Sequence, residues 1–149
     1  MKNLKTLGFV ALLLLTACTK GTDHDQANQD VVSDDSPNQA LYDQVMDIHN
    51  EVMPKMDEIM KLKRNLQDQI ANSPDLVLER KEQLERVISN LDSANNAMMN
   101  WMHEFNPLPD SVDQEKAREY LESEMERIRK VKTTMLESID KAKEEITKN

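Results

Sequence analysis

Two glycines in 149 residues are too few for a sheet with many turns, so the chain is directed from the outset toward long helices. Aromatic residues at 3% leave strands little to pack with, which weighs against a β fold a second time. The glycine scarcity also means that no G-x-G-x-x-G or G-x-x-x-x-G-K-[ST] phosphate loop can be written. With 28 acidic against 19 basic side chains the formal charge is -9, the wrong sign for a nucleic-acid groove, and no nucleic-acid partner is expected. A lone cysteine excludes an internal disulfide, and the length fits one domain.

Within residues 40–72 two apolar seams run side by side. One is Leu41, Val45, Ile48, Val52, Ile59, Leu62 and Leu66, interrupted at Lys55; the other is Tyr42, Met46, His49, Met53, Met56 and Met60. Both step by four and three residues, which gives each its own stripe on one helix, and two adjacent stripes require two helical neighbours. A second helix over 74–105 is expected, with Ser73 as N-cap, Pro74 at the first helical position and Asp75 complementing the dipole. It carries Val77, Leu84, Val87, Ile88, Leu91, Ala94, Met98, Trp101, Met102 and Phe105, and Pro107 and Pro109 stop it. Ser111 and Gln114 have the S-x-x-Q form of a capping box opening a third helix over 111–147, with Ala117, Leu121, Met125, Ile128, Val131, Met135, Ile139, Ala142 and Ile146 on its apolar side.

Short connections make sequential helices antiparallel. The expected fold is therefore all-α, an up-down-up antiparallel three-helix bundle over 40–149 with rods about 50 Å long and a left-handed twist. The alternative is an elongated antiparallel coiled coil that completes its core by dimerising, a homo-oligomer. Glu119, Glu122, Glu126, Arg129 and Lys130 read as a solvated face.

The N-terminus reads as an address. Lys2 and Lys5 precede an apolar run over 7–15, too short at about 14 Å of helix to cross a hydrocarbon core about 30 Å thick. Residues 1–17 are thus a signal peptide. Leu15-Thr16-Ala17-Cys18 resembles a bacterial lipobox and holds the one cysteine where that motif needs it. The resemblance implies cleavage before Cys18, a diacylglyceryl thioether on its sulfur, and a further acyl chain such as palmitate on the new amino terminus. The alternative is an ordinary secreted protein whose signal happens to end in a free cysteine. Cleavage removes Lys2 and Lys5 and leaves the mature chain at -11. Residues 18–39 are nearly devoid of apolar side chains beyond Val31 and Val32 and read as a disordered acidic tether, about 25 Å in mean span. His24, between Asp23 and Asp25, is a solvated tether residue in this reading.

One feature has chemical content. If the chain turns near 72 and 73, paired positions on the first and second helices sum to roughly 146, which sets Met46 and His49 beside Met98, Trp101 and Met102. The matching turn near 108 sets Leu91 and Met125 at the level of Met53. Pro54 interrupts this region by removing an N–H and displacing the Asn50 carbonyl, so a kink is expected there. Thioethers, imidazole and an indole face suit Cu(I), which makes Met46, His49, Met53, Met98, Trp101, Met102 and His103 a conceivable copper site. The same methionines also suit plain core packing or an adaptable partner groove. No nucleophile with a base and no H-E-x-x-H is present, and pairs such as Glu144 and Glu145 are ordinary on solvated helices, so no enzyme is expected.

From Leu41-Tyr42 through Met53-Pro54-Lys55-Met56 to Met98-Met99-Asn100-Trp101-Met102, the chain resembles small uncharacterised helical lipoproteins of Bacteroidota. Some of these carry the label "viral A-type inclusion protein", which reflects coiled-coil similarity. The resemblance covers the region from about Ala40 onward, carries over no catalytic or binding residue, and implies residence in the cell envelope. The expected function is a non-enzymatic binding or structural module, lipid-anchored at the outer rather than the inner membrane, with an envelope protein as partner and no cofactor. A soft-metal carrier or sensor is the alternative.

Overall fold

The computed structural model describes residues 37–109 and 111–148. The signal peptide, Cys18, His24 and most of the tether lie outside the described residues. Among those described, regular structure is helical throughout: α1 (Gln39–Val52), α2 (Lys55–Ala71), α3 (Leu78–Glu104) and α4 (Gln114–Thr147). No helix among them is long and apolar enough to cross a membrane.

Burial follows a strict heptad step. Val45, Val52, Ile59 and Leu66 recur every seven residues through α1 and α2, and all four are buried. The phase survives Met53 and Pro54, which separate the two helices while keeping right-handed helical torsions (φ -54°, ψ -41° and φ -63°, ψ -19°). Pro54 has no N–H to give the Asn50 carbonyl, and Met56 N–H bonds to Met53 only three residues back, so the helix is interrupted without turning its buried face away. α3 contributes Leu84, Val87, Leu91, Ala94, Met98 and Trp101. In α4 the buried line is Ala117, Leu121, Glu124, Ile128, Val131, Met135, Ser138, Ala142 and Glu145, stepping four and three without a break.

α4 packs against α1, α2 and α3, and α2 also packs against α3. The cross-links rise together along α1, α2 and α4: Asn38 to Gln114, Glu51 to Lys132 at 2.6 Å, Glu58 to Lys143 at 2.6 Å. Between α3 and α4 one number rises as the other falls: Arg80 to Glu145, the Asn90 carbonyl to Ser138 Oγ at 3.4 Å, Glu104 to Arg127.

Four expectations are corrected. The tether does not extend to 39: Asn38 is buried, its Nδ2 donating to the Gln114 carbonyl at 3.0 Å, and Gln39 opens α1. The second rod starts at Leu78 rather than 74. Ser73-Pro74-Asp75-Leu76 forms a turn instead, closed by Leu76 N–H to the Ser73 carbonyl at 3.1 Å, and Val77 is extended at φ -61°, ψ 141°. Serine first and proline second suit a β-turn as well as they suit a helix start. The cap of α4 is Asp113, whose carboxylate accepts from the N–H groups of Glu115 and Lys116 at 3.0 and 3.2 Å, in place of the Ser111 capping box. Carboxylate acceptors are favourable at a helix N-terminus, and Val112 N–H is already bonded to the Pro109 carbonyl, which holds this stretch in a turn. Finally, Leu91 and Met125 do not share a level with Met53. Leu91 stands near Ser138, while Met125 shares a groove with Leu41 and Gln44. The connection after Glu104 does not double back tightly: Asn106 N–H donates to Tyr120 Oη at 2.7 Å, so the chain runs along the first turns of α4 and shifts the register by several turns.

Candidate functional site

Where α1 faces the last turns of α3, the contact is made by large rings. His49 lies 5.5 Å from Trp101, centroid to centroid, and Trp101 stacks on Phe105 at 4.7 Å with 22° between planes. Phe105 in turn reaches Tyr42 at 6.1 Å and Tyr120 at 6.3 Å. Offset and tilted pairs at these distances are favourable beyond their buried area. α1 sets Tyr42 and His49 seven residues apart on one stripe, and α3 sets Trp101 and Phe105 one turn apart. The helix ends at Glu104, so Phe105 is the first residue of the connection that carries its ring across to Tyr120.

The proposed soft-metal residues are distributed as follows. Met98 is fully enclosed and Trp101 nearly so. Met46 and Met102 are half-buried and packed against the core, His49 is half-buried, Met53 is 44% exposed and His103 is exposed in the last turn of α3. The pair brought into direct contact is His49 with Trp101. In the tautomer with the ring proton on Nδ1, His49 donates to Asn50 Oδ1 at 3.0 Å. Trp101 Nε1 has no hydrogen-bond acceptor among the described residues. No group of three or more His, Cys, Asp or Glu side chains converges among the described residues as a hard or borderline metal would require. The chemistry on offer along this seam is contact chemistry, with ring faces and polarizable thioethers that re-pack readily.

Beside the rings lies a charged cluster. Arg127 donates to Glu124 at 2.7 Å and also to Glu104, bridging α4 to the end of α3. Its guanidinium is raised above the ordinary arginine value, first by the Glu124 hydrogen bond. Burial raises the Tyr120 phenol, while the Asn106 N–H bond acts in the opposite direction. Glu124 is buried, and its Oε2 has no partner among the described residues.

The polar residues that sequence reasoning missed are those inside the α4 seam. Glu124, Ser138 and Glu145 are buried, and Glu145 belongs to one of the pairs expected to be solvated. The signal was the spacing: Ile128, Val131, Met135 and Ala142 fix a four-three line that passes through all three. Tyr42, Phe105 and Tyr120 were likewise not read as partners of Trp101, because the register of the connection brings them together. Compared with protein-family models, curated proteins and solved structures, the chain matches none of them.

Proposed function

We propose that this protein is a lipid-anchored, non-enzymatic module of a bacterial cell envelope, built as an up-down-up bundle in which α1 with α2 forms the first rod. It uses the seam around Trp101 to engage another envelope protein. The parallel order of the α1–α2 to α4 cross-links and the opposed order of those between α3 and α4 support the topology. Leu15-Thr16-Ala17-Cys18 supports the anchor.

The observation that carries the binding reading is the half-open thioether and ring surface. Met46, His49 and Met102 are half-buried and Met53 is exposed, the first two on α1, Met102 in the last turn of α3 and Met53 at the break before Pro54. Surfaces of this kind suit an adaptable partner contact. A photo-crosslinker at position 53, in protein left in its own membranes, is expected to capture a defined partner that the same crosslinker at Glu119 does not. Equal or absent capture at the two positions overturns the reading. Mass analysis of the N-terminal fragment tests the anchor: acyl mass on Cys18, lost with release of the protein in Cys18→Ser, is the expected result.

A second reading, a Cu(I) carrier or sensor, draws on the same seam. It rests on the His49 ring lying against Trp101 with Met46 and Met102 on the neighbouring turns.

A further inference from the structure

Most of the methionines outside the core border one groove. Met46, Met53 and Met60 recur every seven residues, one stripe outside His49, Met56 and Lys63. That inner line faces α3, since His49 lies 5.5 Å from Trp101 and Lys63 holds Asp92 at 2.6 Å. On α3 the facing stripe takes Met99, seven residues after Asp92, with Met102 beside it. Six of the chain's ten methionines, Met46, Met53, Met56, Met60, Met99 and Met102, thus line the groove of α1 and α2 with α3. Met53 and Met60 are exposed and the other four half-buried, so thioether surface stays open to solvent for about 21 Å from Met46 to Met60.

We infer that this groove takes an amphipathic helix whose flank is basic, a partner chemistry that rests on the seam's being a partner contact. Charge selects the occupant. α1 contains no Lys or Arg, and α3 has none over residues 87–103. Asp43 and Asp57 stand on the next stripe outward from the methionines, with Asp47 beyond; all three are exposed and none has a cationic partner among the described residues. Lys55 does not offset them, because it is drawn to Glu58 at 3.2 Å on the side facing α4. Arg64 continues the acidic stripe only past Met60, at the end that the Lys63 and Asp92 pair closes. A second copy of the chain would set these carboxylates against their own counterparts, and an acidic segment would add to them. Lysines or arginines beside an apolar face neutralise them instead. A groove between two helices accepts anchors spaced by three, four and seven residues, and flexible thioethers re-pack around whichever apolar side chains the helix carries. About 14 residues, four turns, span Met46 to Met60.

The test uses the full chain and two labelled helical peptides of about 18 residues that share a leucine face, one with lysine and one with glutamate over the polar face. In fluorescence anisotropy the lysine peptide should bind in the micromolar range and the glutamate peptide at least about tenfold more weakly. Met53→Ser with Met60→Ser, and separately Asp43→Asn with Asp57→Asn, should each weaken the lysine peptide about tenfold. Glu119→Gln with Glu126→Gln removes the same charge from exposed positions on α4 and should change its affinity less than about twofold. Equal affinity for the two peptides, or an α4 pair as damaging as the groove pairs, overturns the inference, and leaves the seam reading standing if position 53 still captures a partner in membranes. Loss of that capture removes the seam reading and the basic helix with it.

Discussion

Arg80, in the first turn of α3, grips Glu145, in the last turn of α4, through both its side chain and its backbone. Nη1 donates to Glu145 Oε2 and Nη2 to the Glu145 carbonyl oxygen at 2.7 Å. Gln83 Nε2 adds a bond to the same carboxylate oxygen at 2.9 Å, and Lys148 Nζ donates to the other at 2.7 Å. The carboxylate is completely buried, so this ion cluster ties the ends of two helices about 30 Å along α3 from Trp101. Burying a charge is tolerable only when it is paired and hydrogen-bonded, and here three side-chain donors to the carboxylate, from Arg80, Gln83 and Lys148, provide that.

Removing the carboxylate should therefore be costly. Glu145→Ala leaves the mostly buried Arg80 guanidinium without its carboxylate counter-ion, keeping only the bond to the backbone carbonyl at 145, and is expected to destabilise the fold by roughly 3 kcal/mol in urea titration. Glu144→Ala, one residue earlier but exposed, should stay within about 0.5 kcal/mol. Equal effects at the two positions would show that the cluster contributes nothing specific.

The same cluster sets an acid limit. The Glu145 carboxyl is lowered to about 2, first by the Lys148 hydrogen bond and then by that from Arg80, against the opposing effect of burial. A folded value below the unfolded 4.5 means that the native state holds the charged form more tightly. The stabilisation is present in full above pH 4.5 and is lost as pH falls toward 2. Melting temperature should fall over that window in the parent chain and fall less steeply in Glu145→Gln. Parallel curves would locate the acid sensitivity elsewhere, for instance at Glu58, whose carboxyl is lowered by Lys143 and then Lys55.

The heptad steps made the buried faces of all three rods legible from sequence, since a four-three spacing fixes a stripe whatever residues stand on it. What stayed hidden was every place where two local codes compete. Ser73-Pro74-Asp75 encodes a turn and a helix start equally well, and the turn prevailed because Val77 is extended. A carboxylate in a helix crowded with glutamates reads as solvated, although Glu124 and Glu145 fall on the seam. The register of α3 against α4 depended on Asn106 reaching Tyr120, a contact between a loop and a helix that no periodicity announces. The ring seam was half legible for the same reason. His49 and Trp101 follow from turn position, while Phe105 and Tyr120 meet only through that loop.

Trp101 offers a test of packing without a hydrogen-bond complication. Its Nε1 has no acceptor among the described residues, so Trp101→Phe deletes ring area but no bond. Trp101→Ala should cost about 3–5 kcal/mol and Trp101→Phe well under half of that. A Trp101→Phe penalty as large as that of alanine would mean that the indole N–H is engaged in solution.

Replacing Met98 and Met102 by leucine separates the packing reading of the seam from the soft-metal one. Met98 is enclosed and Met102 half-buried against the same core, so Leu at either position conserves volume and should cost less than about 1.5 kcal/mol. A Cu(I) ion would need thioethers that converge on one point, yet Met53 lies exposed at the helix break while Met98 is sealed inside. The arrangement therefore favours packing. Competition with a chromogenic Cu(I) chelator should show no tight stoichiometric uptake, and added Cu(I) should leave the melting temperature where it was. If copper instead raised the melting temperature and changed Trp101 emission, and Met102→Leu abolished both effects, the imidazole of His49 held 5.5 Å from the indole would be the ligand that reports it. His49→Ala should then remove the emission change while leaving the helical content intact.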